Sequence, residues 1–559
     1  MLSIAFSWPA WTGVNTSWLI IWDFLTKNGY KVYADKEYQS IIKWWNNTMI
    51  VYFDQEDIYL TKKLDIFFYF DDFALKRNEN VYEIKNKIKI PNERWLFQNM
   101  IATWAAFKAL WIEQDIAIKQ LKEYFSYKKL PEEILEKNIN SIKFWYQLEV
   151  PQITKITLNP TDAKLLDWNK VIAMWALQAW LEFYAAYPMT PASSLIKYLA
   201  GKVTFFQWED EIAVSMSMLG ARFAWKRAMC WTSWGGFALM TESISFANQA
   251  EIWGVYILSQ RWWPSTWTPT FTEQWDLLFA LNASFWDTKP IVVYPNTFEN
   301  WYKLIQKVFD WSDIYQHPIV VLLDKQFSES YIAMQVKSEK WTMTSKWIVN
   351  SEKWIVKNYI SKIKFNPRNK EVFEAINELE KNKFLRYKIT QDWISPYTYP
   401  WIKNWEFIAS SYEHTESWFS TEDPEIKKTM TEKRHKKLET FKKNEFNDEF
   451  FWYDIFNPQA NKFIITTWIN HLVCKKFAQE NNWGLITINV LQPLDTRFKK
   501  YLTDRVKKIV FVELNYSGQL QEIVSSKLWL NCPEREWKIF SIRKYNNYPL
   551  FIEDLEALK

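Results

Sequence analysis

Short apolar runs alternate with longer amphipathic stretches along most of this chain. In the first 150 residues the runs are "LSIAF", "KVYAD", "TMIVYFD" and "KLDIFFYFDD". Each has the length of a strand and is bounded by turn residues, as a strand buried in a sheet should be. Between the first two lies "LIIWDFLTKNGY", whose apolar positions recur at helical spacing. This predicts strand–loop–helix–strand, with the loop at a helix N-terminus, a place suited to anions. "WLFQNMIATWAAFKALWIE" adds a helix with a small-residue face.

The alternation resumes from about residue 165 to 330. "KVIAMWALQAWLEFYAAYPMTPASSLIKYLA" reads as helix, loop, helix, with Pro191 early in the second, where Pro is tolerated. "KVTFFQ" leads into the helix "EDEIAVSMSMLGARFAWK", and "RAMCWTS", "VYILSQ", "PIVVYPN" and "HPIVVLLD" read as strands. Residues 331–458 are polar and rich in Lys and Glu, and "MTEKRHKKLETFKK" reads as a solvated helix in a connection. Residues 459–559 return to the pattern with "KFIITT", "LITINVLQPL" and "KKIVFVELN" between helices. The expected class is α/β, with several domains whose mostly parallel sheets are covered on both faces. Their bounds are 1–150, 165–330 and 459–559.

Composition changes this picture in one respect. The chain holds 37 Trp and 9 Gly, whereas an average glycine usage of about 7% would give roughly 39 in this length. Trp also stands where glycine is expected. "SWPAWTGVNTSW", "CWTSWGGF" and "SQRWWPSTWTPT" are turn-rich stretches between strand and helix, and Trp44-Trp45 and Trp262-Trp263 are doublets at turn-like places. Such places need φ > 0 or close backbone approach. The expectation is that most Trp positions are UGA codons decoded as glycine, as some bacteria decode them. The alternative is a Trp-rich binding protein with stacking aromatics.

Charge excludes rather than identifies. A net charge of +5 with 24% charged residues makes no basic stripe for nucleic acid. Cys230, Cys474 and Cys532 are widely spaced without a C-x-x-C, so the chain by itself cannot hold a four-cysteine cluster or a zinc ribbon. Their odd count fits a reducing compartment. No uninterrupted apolar run has membrane-spanning length, and "MLSIAFSW" lacks the basic start of a signal peptide. A cytoplasmic protein is expected.

With glycine at the Trp positions, "CWTSWGGFALMTE" and "LSQRWWPSTWTPTFTEQW" closely resemble the α subunit of 2-oxoacid:ferredoxin oxidoreductases. "SWPAWTGVNTSW" is similar to the γ domain of the same enzymes, and the order γ then α resembles the fused α subunit of the 2-oxoglutarate enzyme. "SSYEHTESWFSTEDPEIKKTMTEKRHKKLE" and "VELNYSGQL" resemble that subunit's connection and C-terminal domain, so nearly the whole chain is covered. The resemblance implies a pyrimidine-binding-type domain at 165–330 and a transketolase C-terminal-like domain at 459–559. It implies coenzyme A-dependent oxidative decarboxylation of a 2-oxoacid, 2-oxoglutarate to succinyl-CoA, with ferredoxin reduction in anaerobic metabolism. Pyruvate, branched or aryl 2-oxoacids are the alternative substrates, and a non-catalytic orphan subunit is the alternative class.

The same resemblance implies thiamine diphosphate with Mg²⁺ shared with a β subunit that carries a [4Fe–4S] cluster, in a hetero-oligomer such as (αβ)₂. A catalytic Glu is expected against the pyrimidine, and Glu209 and Glu211 both stand in the right stretch. Spacing to Gly220-Ala221 and Trp225-Lys226 favours Glu211, although either could be a helix-start carboxylate beside the dipole. Thr190 and Arg261 are the implied substrate contacts, since guanidinium matches a carboxylate, with Ser265, Thr266 and Thr268 in the same pocket. The alternatives are a hydroxyl cap at Thr190 and a structural ion pair at Arg261. Pro188, Ser233, Gly235 and Gly236 are implied cofactor contacts. The loop Ser7 to Thr16 would bind an anionic group, coenzyme A among the options, or serve in packing. His317, His414, His435 and His471 are scattered, with no metal-ligand pattern.

Overall fold

Two of the three large sheets are nearly all parallel, and the third is mixed. The computed structural model describes residues 1–9, 14–37, 46–91, 98–126, 131–145, 149–190, 192–233, 235–262, 271–285, 287–296, 298–335, 384–398, 406–446, 452–467, 469–528 and 538–559. Within that range the strands Leu2–Pro9 and Lys31–Glu37 flank the helix Val14–Lys27, but they are not neighbours. Asn46–Asp54 lies between them and runs antiparallel to both. Tyr331–Gln335 and Ala163–Asp167 extend this sheet beyond Lys31–Glu37. Residues on either side of the second unit are therefore stitched into the first.

The central sheet has the order Thr204–Gln207, Phe183–Ala186, Ala228–Ser233, Val255–Gln260, Ile319–Asp324, Ile291–Val293. All six strands are parallel. Five of them are buried at every residue, which is why their sequences are continuous apolar runs rather than alternating ones. A seventh strand, Val490–Gln492, joins the far edge antiparallel and comes from the C-terminal unit. That unit has its own sheet around Lys462–Thr467 and Lys508–Glu513.

The Lys-rich helix Pro424–Glu445 is not solvated all round. Lys433, Arg434 and Lys437 are buried along one face. Lys433 Nζ and Lys437 Nζ lie 2.6 and 2.9 Å from the two oxygens of Glu251, whose side chain is 1% exposed. Arg386 donates to the Glu251 carbonyl at 2.7 Å. Local composition does not reveal this, because the acid that pairs with the lysines is 182 residues away from Lys433.

Three helices end in one hydrogen-bond pattern with Trp in the left-handed region. Trp111, Trp180 and Trp225 have φ of 58°, 64° and 68°. Trp180 donates to the Leu177 carbonyl and Leu181 to that of Ala176; Trp225 donates to Arg222 and Lys226 to Ala221; Trp111 donates to Lys108 and Ile112 to Phe107. These are Schellman caps, whose left-handed residue is usually glycine. The helix Val14–Lys27 closes in the same way with a real glycine, Gly29, at φ 82°. A left-handed residue with a Cβ costs roughly 1–2 kcal/mol. Trp111 is 50% exposed and loses little packing on truncation. W111G is therefore expected to stabilise the chain as written by about 1 kcal/mol, read as a higher urea midpoint.

Candidate active site

The central sheet reverses its winding direction beside the strand Phe183–Ala186. From Phe183–Ala186 the chain steps outward to Thr204–Gln207, then returns to the other side as Ala228–Ser233. In open parallel sheets such a switch point leaves a crevice beyond the carboxyl ends of the strands. Four neighbouring strands end there, and each is followed by residues expected from sequence. Thr190 follows Phe183–Ala186, Glu211 follows Thr204–Gln207, Gly235 and Gly236 follow Ala228–Ser233, and Arg261 follows Val255–Gln260.

The two candidate acids separate at once. Glu209 is exposed, whereas Glu211 is 3% exposed and opens the helix Glu211–Phe223. Asp210 caps that helix by accepting from the Ala213 N–H at 2.9 Å, which turns the next side chain inward. Burial pushes the Glu211 carboxyl above its ordinary range, and the nearby Asp210 charge adds to this. A hydrogen bond from Thr232 and the positive charge of Arg261 oppose the shift. The Thr232 hydroxyl lies 3.4 Å from Glu211 Oε1. A Cβ built on Gly236 would stand 2.6 Å from Glu211 Cδ, and closer still to Glu211 Oε1 and Thr232 Oγ1. Sequence pattern did not single out Thr232; its place at the end of a strand, three residues before the glycine pair, was the available signal.

Arg261 is buried, and its Nη1 donates to the Thr190 carbonyl at 2.8 Å. That bond ties the loops after two strands together beside Glu211. Trp275 Nε1 donates to the Arg261 carbonyl at 3.0 Å, and the C-terminal unit braces the returning segment through Leu514 and Asn515, both bonded to Gln274. Ser233 is buried and donates to the Ser259 carbonyl at 2.6 Å, so its hydroxyl holds two strands together. Pro188 lies exposed before Thr190. Ser265, Thr266 and Thr268 lie outside the described residues, as do residues 10–13 of the N-terminal loop.

The histidines sit in structural contacts. His414 stacks on Tyr387 with ring centroids 4.2 Å apart, and His317 Nε2 bonds the Lys289 carbonyl at 2.7 Å. Burial lowers the His414 pKa to about 4 and that of His317 to about 3. Cys230, on the strand Ala228–Ser233, and Cys474, on the helix Asn470–Asn481, are both buried, and burial pushes both thiols up. Among the described residues no group of three His, Cys, Asp or Glu could hold a metal ion, and no helix is long and apolar enough to cross a membrane.

Residues 175–432 match the protein family described as pyruvate flavodoxin/ferredoxin oxidoreductase, thiamine diphosphate-binding. The chain is 25% identical over 560 residues to 2-oxoacid:ferredoxin oxidoreductase 1 subunit alpha of Sulfurisphaera tokodaii, covering 96% of this chain and 79% of that one. It is 30% identical over 167 residues to the 2-oxoglutarate synthase subunit KorA of Methanocaldococcus jannaschii, covering 29% of this chain and 46% of that one. Its fold matches that of 2-oxoglutarate:ferredoxin oxidoreductase from Magnetococcus marinus, solved with 2-oxoglutarate, coenzyme A and succinyl-CoA bound. The TM-score is 0.82 at 22% identity, over 100% of this chain and 98% of that one. The buried glutamate at the switch point lies within the stretch that the family model matches, and 2-oxoacid:ferredoxin oxidoreductase α subunits are similar to this chain along nearly its whole length.

Proposed function

We propose that this chain is the pyrimidine-side subunit of an enzyme that converts 2-oxoglutarate and coenzyme A to succinyl-CoA while reducing ferredoxin. The observation that carries the proposal is the Glu211 carboxyl, buried at the switch-point crevice with Arg261 and Thr190 beside it. Thiamine diphosphate, when bound, supplies the carbanion-stabilising chemistry of decarboxylation. The residues present fit its aminopyrimidine half: a buried carboxyl, seated over Gly236, to face a ring nitrogen, and Gly235, with open space where a side chain would stand, to let a flat ring come close. Glu211 holds a proton at that nitrogen, which is general acid–base work at a desolvated site. Arg261 and Thr190 bind the substrate carboxylate, and Pro188 and Ser233 shape the cofactor's surroundings.

A β subunit is proposed to bring the diphosphate and Mg²⁺ site and the [4Fe–4S] cluster, in an (αβ)₂-type cytoplasmic assembly. The names of the KorA relatives, and of the Magnetococcus marinus enzyme whose fold is shared, favour 2-oxoglutarate over pyruvate, branched or aryl 2-oxoacids. The test is co-expression with the neighbouring β reading frame, using glycine at the Trp positions in the γ- and pyrimidine-type domains. Coenzyme A-dependent reduction of ferredoxin or a viologen is then measured with each 2-oxoacid. The highest kcat/KM is expected for 2-oxoglutarate. A higher value for another 2-oxoacid would overturn the substrate, and no reduction with any of them would overturn the activity.

A further inference from the structure

Glu211 does not reach its place unaided. Its helix begins on the strand Thr204–Gln207, while the groups that meet its carboxyl come from Ala228–Ser233 and the turn after it, two strands across the sheet. Thr232 is 1% exposed and offers the carboxyl a hydroxyl; Gly236 offers it space that any side chain would fill. We propose that Thr232 is a positioning residue for Glu211, its hydroxyl and the bare backbone of Gly236 together forming the seat that fixes the carboxyl in the crevice. This rests on the assignment of Glu211 as the proton-holding group only for its catalytic consequence, not for the seat itself.

A hydrogen bond to the charged form favours that form, so the seat also tunes the acid. Asp210, on the same element, raises the Glu211 carboxyl; Arg261, from the neighbouring loop, lowers it along with Thr232. The readout is the infrared carbonyl band of protonated Glu211 in the free chain, identified by its loss in E211Q and titrated with pH. T232V should move the midpoint up and shift the band, and T232S should restore both. G236A should displace the band with Thr232 intact. In the assembled enzyme, T232V should lower kcat roughly five- to tenfold, the scale of one hydrogen bond, with T232S near the parent. A T232V band and midpoint identical to the parent would overturn the seat. If T232V moves them while E211Q enzyme keeps full turnover, the seat stands and the catalytic assignment of Glu211 falls.

A different observation carries a second inference. The Schellman caps at Trp111, Trp180 and Trp225 repeat the geometry of Gly29, and Trp393 and Trp418 also lie at φ 65° and 68°. In addition, the indole nitrogens of Trp8, Trp18, Trp22, Trp104, Trp208, Trp301 and Trp311 are buried and find no acceptor among the described residues, although a buried Trp N–H usually has one. We infer that the host inserts glycine at these positions. Codons and peptide masses test this on the native gene and protein. UGA codons and glycine-bearing peptides spanning residues 111, 180 and 225 are expected; UGG codons or indole-bearing peptides there would overturn it.

Discussion

E211Q is expected to lower turnover by about 10²–10⁴-fold, the usual worth of a general acid–base group, while leaving the chain folded and assembled with its partner. Gln fills the same volume and still bonds Thr232, so packing in the seat is kept. What it cannot do is gain and lose a proton at the crevice. E209Q is the matched control. Glu209 is two residues away, exposed and outside the seat, so its loss should leave turnover unchanged. The measurement is steady-state reduction of ferredoxin by each variant, with assembly followed by gel filtration. Parent-like turnover in E211Q, or a loss confined to E209Q, would remove Glu211 from the mechanism. Because burial raises the Glu211 carboxyl, the protonated form persists above the ordinary carboxylate range. With the protonated carboxyl as the working form, the alkaline limb of the pH profile should follow that raised value and disappear in E211Q.

E251Q should be the most destabilising single change outside the site, by about 3–5 kcal/mol, because it leaves buried lysines without their counter-charge. Lys433 and Lys437 are 0% and 2% exposed, and both pair with Glu251. Burial pushes the Glu251 carboxyl up, but Lys433, Lys437 and Arg386 outweigh it and hold the carboxyl well below its ordinary 4.5. The folded carboxyl thus binds its proton less readily than the unfolded one. Its contribution is present above about pH 4.5 and is lost as the pH falls through the folded value. Lys433 behaves in the opposite sense. Burial lowers it to about 8 from 10.5 despite Glu251, and without that acid it should fall further. The E251Q deficit should therefore shrink as the pH rises toward about 8, where Lys433 folds uncharged in the variant while still charged in the parent, and stay level in this respect above it. Urea midpoints of parent and variant across pH 4–10 check both limbs. An E251Q midpoint equal to the parent at pH 7 would show that the cluster contributes nothing net.

The strands of the central sheet were legible because a strand buried on both faces reads as an unbroken apolar run, and "VYILSQ" and "HPIVVLLD" are such runs. The N-terminal strand order was not. "LSIAF" and "KVYAD" are adjacent in pattern, yet Asn46–Asp54 inserts between them, because strand pairing depends on contacts remote in sequence. The Lys-rich helix misleads for a related reason. Its period shows polar residues on every face, and Glu251 and Glu413, contributed from elsewhere in the chain, turn one of those faces into a buried one.

The excess of Trp illustrates both levels. Composition alone shows that glycine is missing and Trp abundant; the left-handed φ at Trp111, Trp180 and Trp225 shows where a Cβ is strained. By itself the sequence determined the local elements, the α/β class and the short stretches that carry the chemistry, because propensity, capping and hydrophobic period act over a few residues. Tertiary structure alone buried Glu211 and left Glu209 exposed, brought Thr232 and Gly236 against the buried carboxyl, and paired Glu251 with its lysines. Burial and charge pairing are set by what packs against a residue, and in each of these cases the packing partner lies on another element of the chain.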